Sequence, residues 1–201
     1  MPETPQDLYA RAMAAADDEG RLPLGEIPYW DVFPFELDGL RLKPLEPPLE
    51  TEPQRNGEGG QECASCKNRD DGWWLDDNWR IFAPEPSGSP LVLMLCPRDH
   101  YDFTELPDEL AAEFGRITVK LGAAIEELPQ VARVHMSKWG DGGAHAHVFF
   151  IARPYGMMQL RGTMMAVWDD FLPKVPQEVR DADVRTVLER LVETYGGRLT
   201  V

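Results

Sequence analysis

Cys63-Ala-Ser-Cys66, then Arg98-Asp-His100, then His145-Ala-His147 set out, in chain order, four residues of the kinds that bind zinc, followed by one imidazole that a metal does not need. The 201-residue chain has only four histidines and three cysteines, so this pattern uses three of the former and two of the latter. Thiolates and neutral imidazoles close a tetrahedral zinc site, in which the ion supports the fold rather than activating water. The imidazole left over, His147, is suited to attack phosphorus, giving a phosphoryl or nucleotidyl imidazole that water or a second acceptor then resolves. Charge developing on the phosphoryl oxygens needs positioned donors. The nearest in sequence are Ser137, Lys138 and the backbone amides of residues 141–144, including Gly142 and Gly143. Read alone, Cys-x-x-Cys would equally suit a redox pair.

Two elements must position these groups. In a strand, residues two apart share a face. His145, His147, Phe149, Ile151 and Arg153 then point one way, and Ala144, Ala146, Val148, Phe150 and Ala152 the other. The second set is small or apolar and can press against a helix, leaving the histidine face free. Gly140-Asp-Gly-Gly143 is a turn signal, and residues 133–139 before it read as a partner strand, so the histidines lie just past the turn of a hairpin.

His145-Ala-His147-Val-Phe149-Phe-Ile-Ala-Arg153 resembles the signature of the histidine triad superfamily, and Leu93-Met-Leu-Cys-Pro97-Arg98-Asp-His100 is similar to the strand of that family ending in proline, a basic residue and histidine. Residues 103–110 look like the start of its helix, and the resemblance covers residues 63–154. Only two of three triad histidines are present. If His145 and His147 were the second and third, Gly143 would replace the first; Ala152-Arg153 falls into place only if they are the first and second, with Phe149 in the third position.

The resemblance implies His147 as nucleophile and Phe149 beside the substrate. It further implies the zinc-binding branch that includes galactose-1-phosphate uridylyltransferase, which also lacks the third histidine. There Cys63, Cys66, His100 and His145 would hold a structural zinc. It implies an α+β fold, an antiparallel sheet with helices on one face, and that a homodimer is possible. Two departures, Phe149 and the absence of a serine before His145, leave two functions open. One is a nucleotidyl or phosphoryl hydrolase or transferase working through a histidine adduct. The other is a catalytically impaired, zinc-stabilised protein that binds a nucleotide or a protein partner.

Composition bounds the rest. A net charge of −15, from 20 basic and 35 acidic residues, argues against nucleic acid as partner and leaves a small phosphate-containing ligand, with Arg98, Lys138, Arg153 and Arg161 as the cations near the motifs. No stretch approaches the ~20 apolar residues that cross a bilayer, and no signal peptide is evident, so a cytoplasmic protein without membrane contact is expected. Cys96 reads as an inert buried thiol, His135 as structural, and Trp73, Trp74 and Trp79 as core rather than the floor of a base pocket.

The pattern predicts three zones. Residues 1–62 form an N-terminal helix over 7–19, an aromatic stretch over 27–45 and a Pro/Glu/Gly-rich mobile linker to 62; residues 63–154 form the core; residues 155–201 form a helical extension of the same domain. Within the core, strands are expected near 72–75, 79–82 and 91–96, with a helix over 107–128.

Overall fold

A computed structural model of the chain describes residues 3–18, 20–23 and 51–200; the aromatic stretch expected over 27–45 lies outside the described residues. Strands β1 (Trp74–Leu75), β2 (Trp79–Phe82), β3 (Val92–Pro97), β4 (Val131–Ser137), β5 (Val148–Pro154) and β6 (Arg198–Leu199) form one antiparallel sheet in the order β4-β5-β3-β2-β1-β6. Among the described residues the α-helices are α1 (Pro5–Ala14), α2 (Ala64–Lys67), α3 (Asp108–Glu126), α4 (Met164–Phe171) and α5 (Gln177–Thr194). The fold is α+β, as expected.

Two-residue alternation builds the main core. Trp74, Trp79, Ile81, Leu93, Leu95, Val148, Phe150 and Ala152 turn one sheet face inward and meet Ile117, Leu121 and Ile125 of α3 and Val184, Leu188 and Leu191 of α5. Those helical positions recur at three and four residues, so each helix presents a single apolar stripe. Acidic Asp108 and Glu109 in the first turn of α3 complement its macrodipole. The tryptophans near β1 and β2 are core, with Trp74 and Trp79 fully buried. Trp74 donates through Nε1 to the carbonyl of Gly196 at 2.9 Å. A Cβ on Gly197, whose φ is +78°, would stand 2.5 Å from that indole, so this turn requires glycine.

A smaller cluster covers part of the opposite face, where Ile151 packs with Ala12 of α1, Leu160, Met165 of α4 and Leu172. Helix α1 starts earlier and ends earlier than expected. Thr4 and Asp7 form a capping box that fixes its first turn, and the helix stops at Ala14.

Helix α5 is further tied to the segment just before β4 by a buried polar pair. Gln130 donates through Nε2 to Asp183 Oδ2 at 2.7 Å, and burial pushes the Asp183 carboxyl up to about 6 against that hydrogen bond. The folded state therefore holds this proton more tightly than the unfolded chain, where the group titrates near 3.8. The stability it contributes is complete below pH 3.8 and is lost as pH rises through about 6. Asp183→Asn, which keeps an acceptor for Gln130, is expected to gain on the order of 1–2 kcal/mol on the parent between pH 4 and pH 8. Denaturant unfolding at the two pH values measures this; a constant difference between the proteins would refute it.

Candidate functional site

Strand β3 ends at Pro97 and delivers His100 three residues later; β5 begins at Val148, with His145 and His147 in the segment leading into it. The strand thus starts later than the alternation suggested. Ala146 gives its N–H to the carbonyl of Tyr101 at 2.7 Å instead of joining the ladder, and Ala144 gives its own to Asn56 at 3.0 Å. The amide of Ala144, one of the expected phosphate donors, is therefore already engaged. His145 and His147 nonetheless line the same cleft.

Cys63, Cys66, His100 and His145 converge, with one donor atom from each lying within 4.8 Å of all the others. Cys63 Sγ and His145 Nδ1 are 3.5 Å apart, Cys66 Sγ and His145 Nδ1 3.5 Å, and Cys66 Sγ and His100 Nδ1 3.4 Å. Sulfur at ~2.3 Å and nitrogen at ~2.0 Å from a tetrahedral zinc would stand about 3.6 Å from each other. The donor set and its spacing therefore fit zinc. His145 Nε2 lies 2.8 Å from the carbonyl of Pro97, which fixes the proton there and leaves the Nδ1 lone pair for a metal. Burial, opposed by that hydrogen bond, pushes the His145 pKa below its usual value, so the ring is neutral. Burial and the neighbouring Cys63 push the Cys66 thiol up to about 11. Positive charge delivered to the cluster is what would ionise it.

The surroundings hold these ligands in place. Gly57, at φ +75°, packs so closely on Cys63 that a Cβ would lie 3.1 Å from that residue's Cβ. Asn56 bridges to Gly143 in parallel fashion, accepting from Ala144 and donating to Gly142 O at 3.0 Å. Arg55 pairs with Glu58 at 2.9 Å and with Asp102 at 2.6 Å. Residues 55–60, expected as part of a mobile linker, are instead tied to the histidine loop and to the segment after His100.

His147 is half-buried, with Nδ1 2.8 Å from the carbonyl of His145. That contact places the ring proton on Nδ1 and leaves the Nε2 lone pair available. The cleft beside it has a volume of about 450 Å³ and runs over Met94, Cys96, Arg80 and Phe82. Gly142 and Gly143 form part of its wall, and a Cβ on Gly143 would be 3.8 Å from His147 Cε1. Phe149 stands edge-on to His147 at 5.7 Å between ring centroids. Ser137 lines a separate small cavity instead, and exposed Lys138 folds back over Gly140. Arg98 is occupied by the carbonyls of Asp76 and Asp77 and by Asp70.

Sequence reasoning missed Arg80. Its burial, at 7% exposed, is unusual for a cation, and its neighbours Trp79 and Ile81 on β2 face the core. Alternation alone could have placed Arg80 on the histidine side. It donates to the carbonyls of Asn68 (2.8 Å) and Asp71 (2.6 Å) and to Ser65 Oγ (2.6 Å), clamping the cysteine turn to the sheet. Arg80→Met strands those acceptors and is expected to cost about 2–4 kcal/mol. It is also expected to speed zinc release to a chelator, read with a colorimetric metal indicator. Unfolding and release curves that overlay the parent's would exclude the clamp.

No protein-family model matches the chain, and no curated protein sequence matches it significantly. Solved structures do. A hypothetical histidine triad nucleotide-binding protein from Sulfolobus tokodaii superimposes with a TM-score of 0.50 at 13% identity, over 67% of this chain and 97% of that one. This is a histidine triad fold. A Zn-bound histidine triad family protein from Mycobacterium smegmatis also superimposes in part (TM-score 0.49, 16% identity, 65% of this chain and 94% of that). So does a histidine triad protein from Marinobacter aquaeolei (0.46, 22%, 59% and 85%). In the histidine triad fold of this chain, the metal-type cluster and the free imidazole adjoin one cleft.

Proposed function

We propose that the chain is a nucleotidyl or phosphoryl hydrolase or transferase that works through a covalent adduct on His147, with a structural zinc held by Cys63, Cys66, His100 and His145. The observation that carries this reading is the 2.8 Å contact from His147 Nδ1 to the His145 carbonyl, which commits Nδ1 to the backbone and leaves Nε2 as the ring nitrogen able to act beside an open cleft. Nε2 forms a bond to phosphorus while the bond to the departing oxygen breaks, its electron pair leaving with that oxygen. Water or another acceptor then attacks phosphorus, the N–P bond breaks, and the imidazole returns neutral. Zinc, when bound, fixes the histidine segment in place. The glycines at 142 and 143 allow a phosphoryl group to approach the backbone closely.

The ligand is a small phosphate-containing molecule, a nucleotide by the nature of the fold's relatives. Phe149 beside the imidazole favours a second reading, a binding protein with no turnover, because that side chain can neither donate nor accept a hydrogen bond. Incubation with dinucleoside polyphosphates, nucleoside phosphoramidates and nucleotide sugars, followed by alkaline quench and mass spectrometry of the peptide containing residue 147, separates the two. A phosphorylated or nucleotidylated His147 together with turnover supports the enzyme. Ligand binding with neither product nor adduct supports the binding protein.

A further inference from the structure

A second, smaller feature lies along the hairpin that carries Phe149, the residue packed edge-on against His147. The hairpin ladder ends where Ser137 pairs with Phe149, and Trp139 follows two residues later at the start of the turn. Trp139 is 50% exposed, an unusual position for the largest apolar side chain, and its ring centroid is 5.2 Å from that of Phe149. His147, Phe149 and Trp139 thus form a continuous aromatic ledge leading outward from the imidazole. Beneath it, a cavity of about 90 Å³ is lined by His135, Ser137, Trp139, Ile151, Thr163 and Met165. His135 Nε2, which is buried, has no hydrogen-bond partner among the described residues, and such a group calls for one. Burial and the nearby Arg153 lower the His135 pKa, so the ring is neutral and can accept or donate.

We propose that this ledge and cavity are a second binding subsite, which takes a planar ring with a hydrogen-bonding substituent, carried by the group displaced from phosphorus at His147. The proposal rests on the reading of His147 as nucleophile. Every face of an aromatic ring can stack on Trp139, whereas the cavity has room only for a substituent, so the ring stays on the ledge and its polar atom reaches toward His135. The retained part of the substrate occupies the cleft over Met94 and Phe82, and the molecule straddles His147. Phe149 supplies no proton, so the departing oxygen must be a weak base that leaves as the anion. An aryl oxide meets that need. Nε2–P forms, the P–O bond to the aryl group breaks with its pair on oxygen, water then displaces the imidazole, and the protons of that water pass to solvent.

The test compares kcat/KM for the 4-nitrophenyl ester of AMP with that for ADP, which has no ring on its departing phosphate. Trp139→Ala is expected to lower the ratio of the two at least about 10-fold, while Trp139→Phe retains most of it. Because each ratio is taken on one protein, a general loss of folded enzyme cancels. Equal losses on both substrates overturn the subsite and leave the His147 reading standing, provided His147→Ala still abolishes turnover. Failure of the parent to cleave either substrate overturns both.

Discussion

Cys66→Ser is expected to strip the protein of zinc and to lower its thermal midpoint by on the order of 10 °C, because a closed metal site contributes its binding energy directly to folding. Cys66 Sγ stands between the two imidazoles, 3.4 Å from the His100 nitrogen and 3.5 Å from that of His145. Elemental analysis of the purified protein, with thermal unfolding before and after a chelator, provides the measurement. The chelated parent should match Cys66→Ser, whereas Cys96→Ser should keep its metal, since Cys96 lies along β3 outside the cluster. A chain purified with less than stoichiometric metal and indifferent to chelation would defeat the assignment.

His147→Ala is expected to lower turnover by about 10³-fold or more while leaving zinc content and thermal midpoint close to those of the parent. The separation follows from geometry. His147 is half-buried, lies outside the four-residue cluster, and its Nδ1 is hydrogen-bonded to the backbone of its own segment. If loss of the side chain unfolds the protein or releases the metal, its role is in holding the loop. If turnover persists with the ring gone, the chemistry resides elsewhere.

The metal-type cluster was legible because its donors are rare residue types in this chain and their order survives folding. The hairpin and the inward set Val148, Phe150 and Ala152 were legible because alternation is a local property of a strand. What escaped was non-local. Nothing in a Pro/Glu/Gly-rich stretch announces that Asn56 will pair with Gly143, since one isolated bridge leaves no periodic trace. Arg80 alternates with two core-facing residues, yet the carbonyls of Asn68 and Asp71 that hold it lie in a loop and leave no mark in the sequence. The late start of β5 depends on Tyr101 O capturing the Ala146 amide, a competition decided by a loop 45 residues upstream. The two-residue β6 has no signal of its own and exists because β1 offers it an edge.

The stitch between Asn56 and the histidine loop also decides where the working unit can be cut. A recombinant fragment beginning at Cys63 would contain every proposed ligand and His147, yet it would omit Gly57 from behind the first sulfur, the Arg55 anchor to Asp102, and one rim of the opening. Such a piece would expose Cys63 to oxidants and leave the loop over residues 142–144 without its backbone partner. The shortest version able to act as the whole does must therefore begin no later than Arg55.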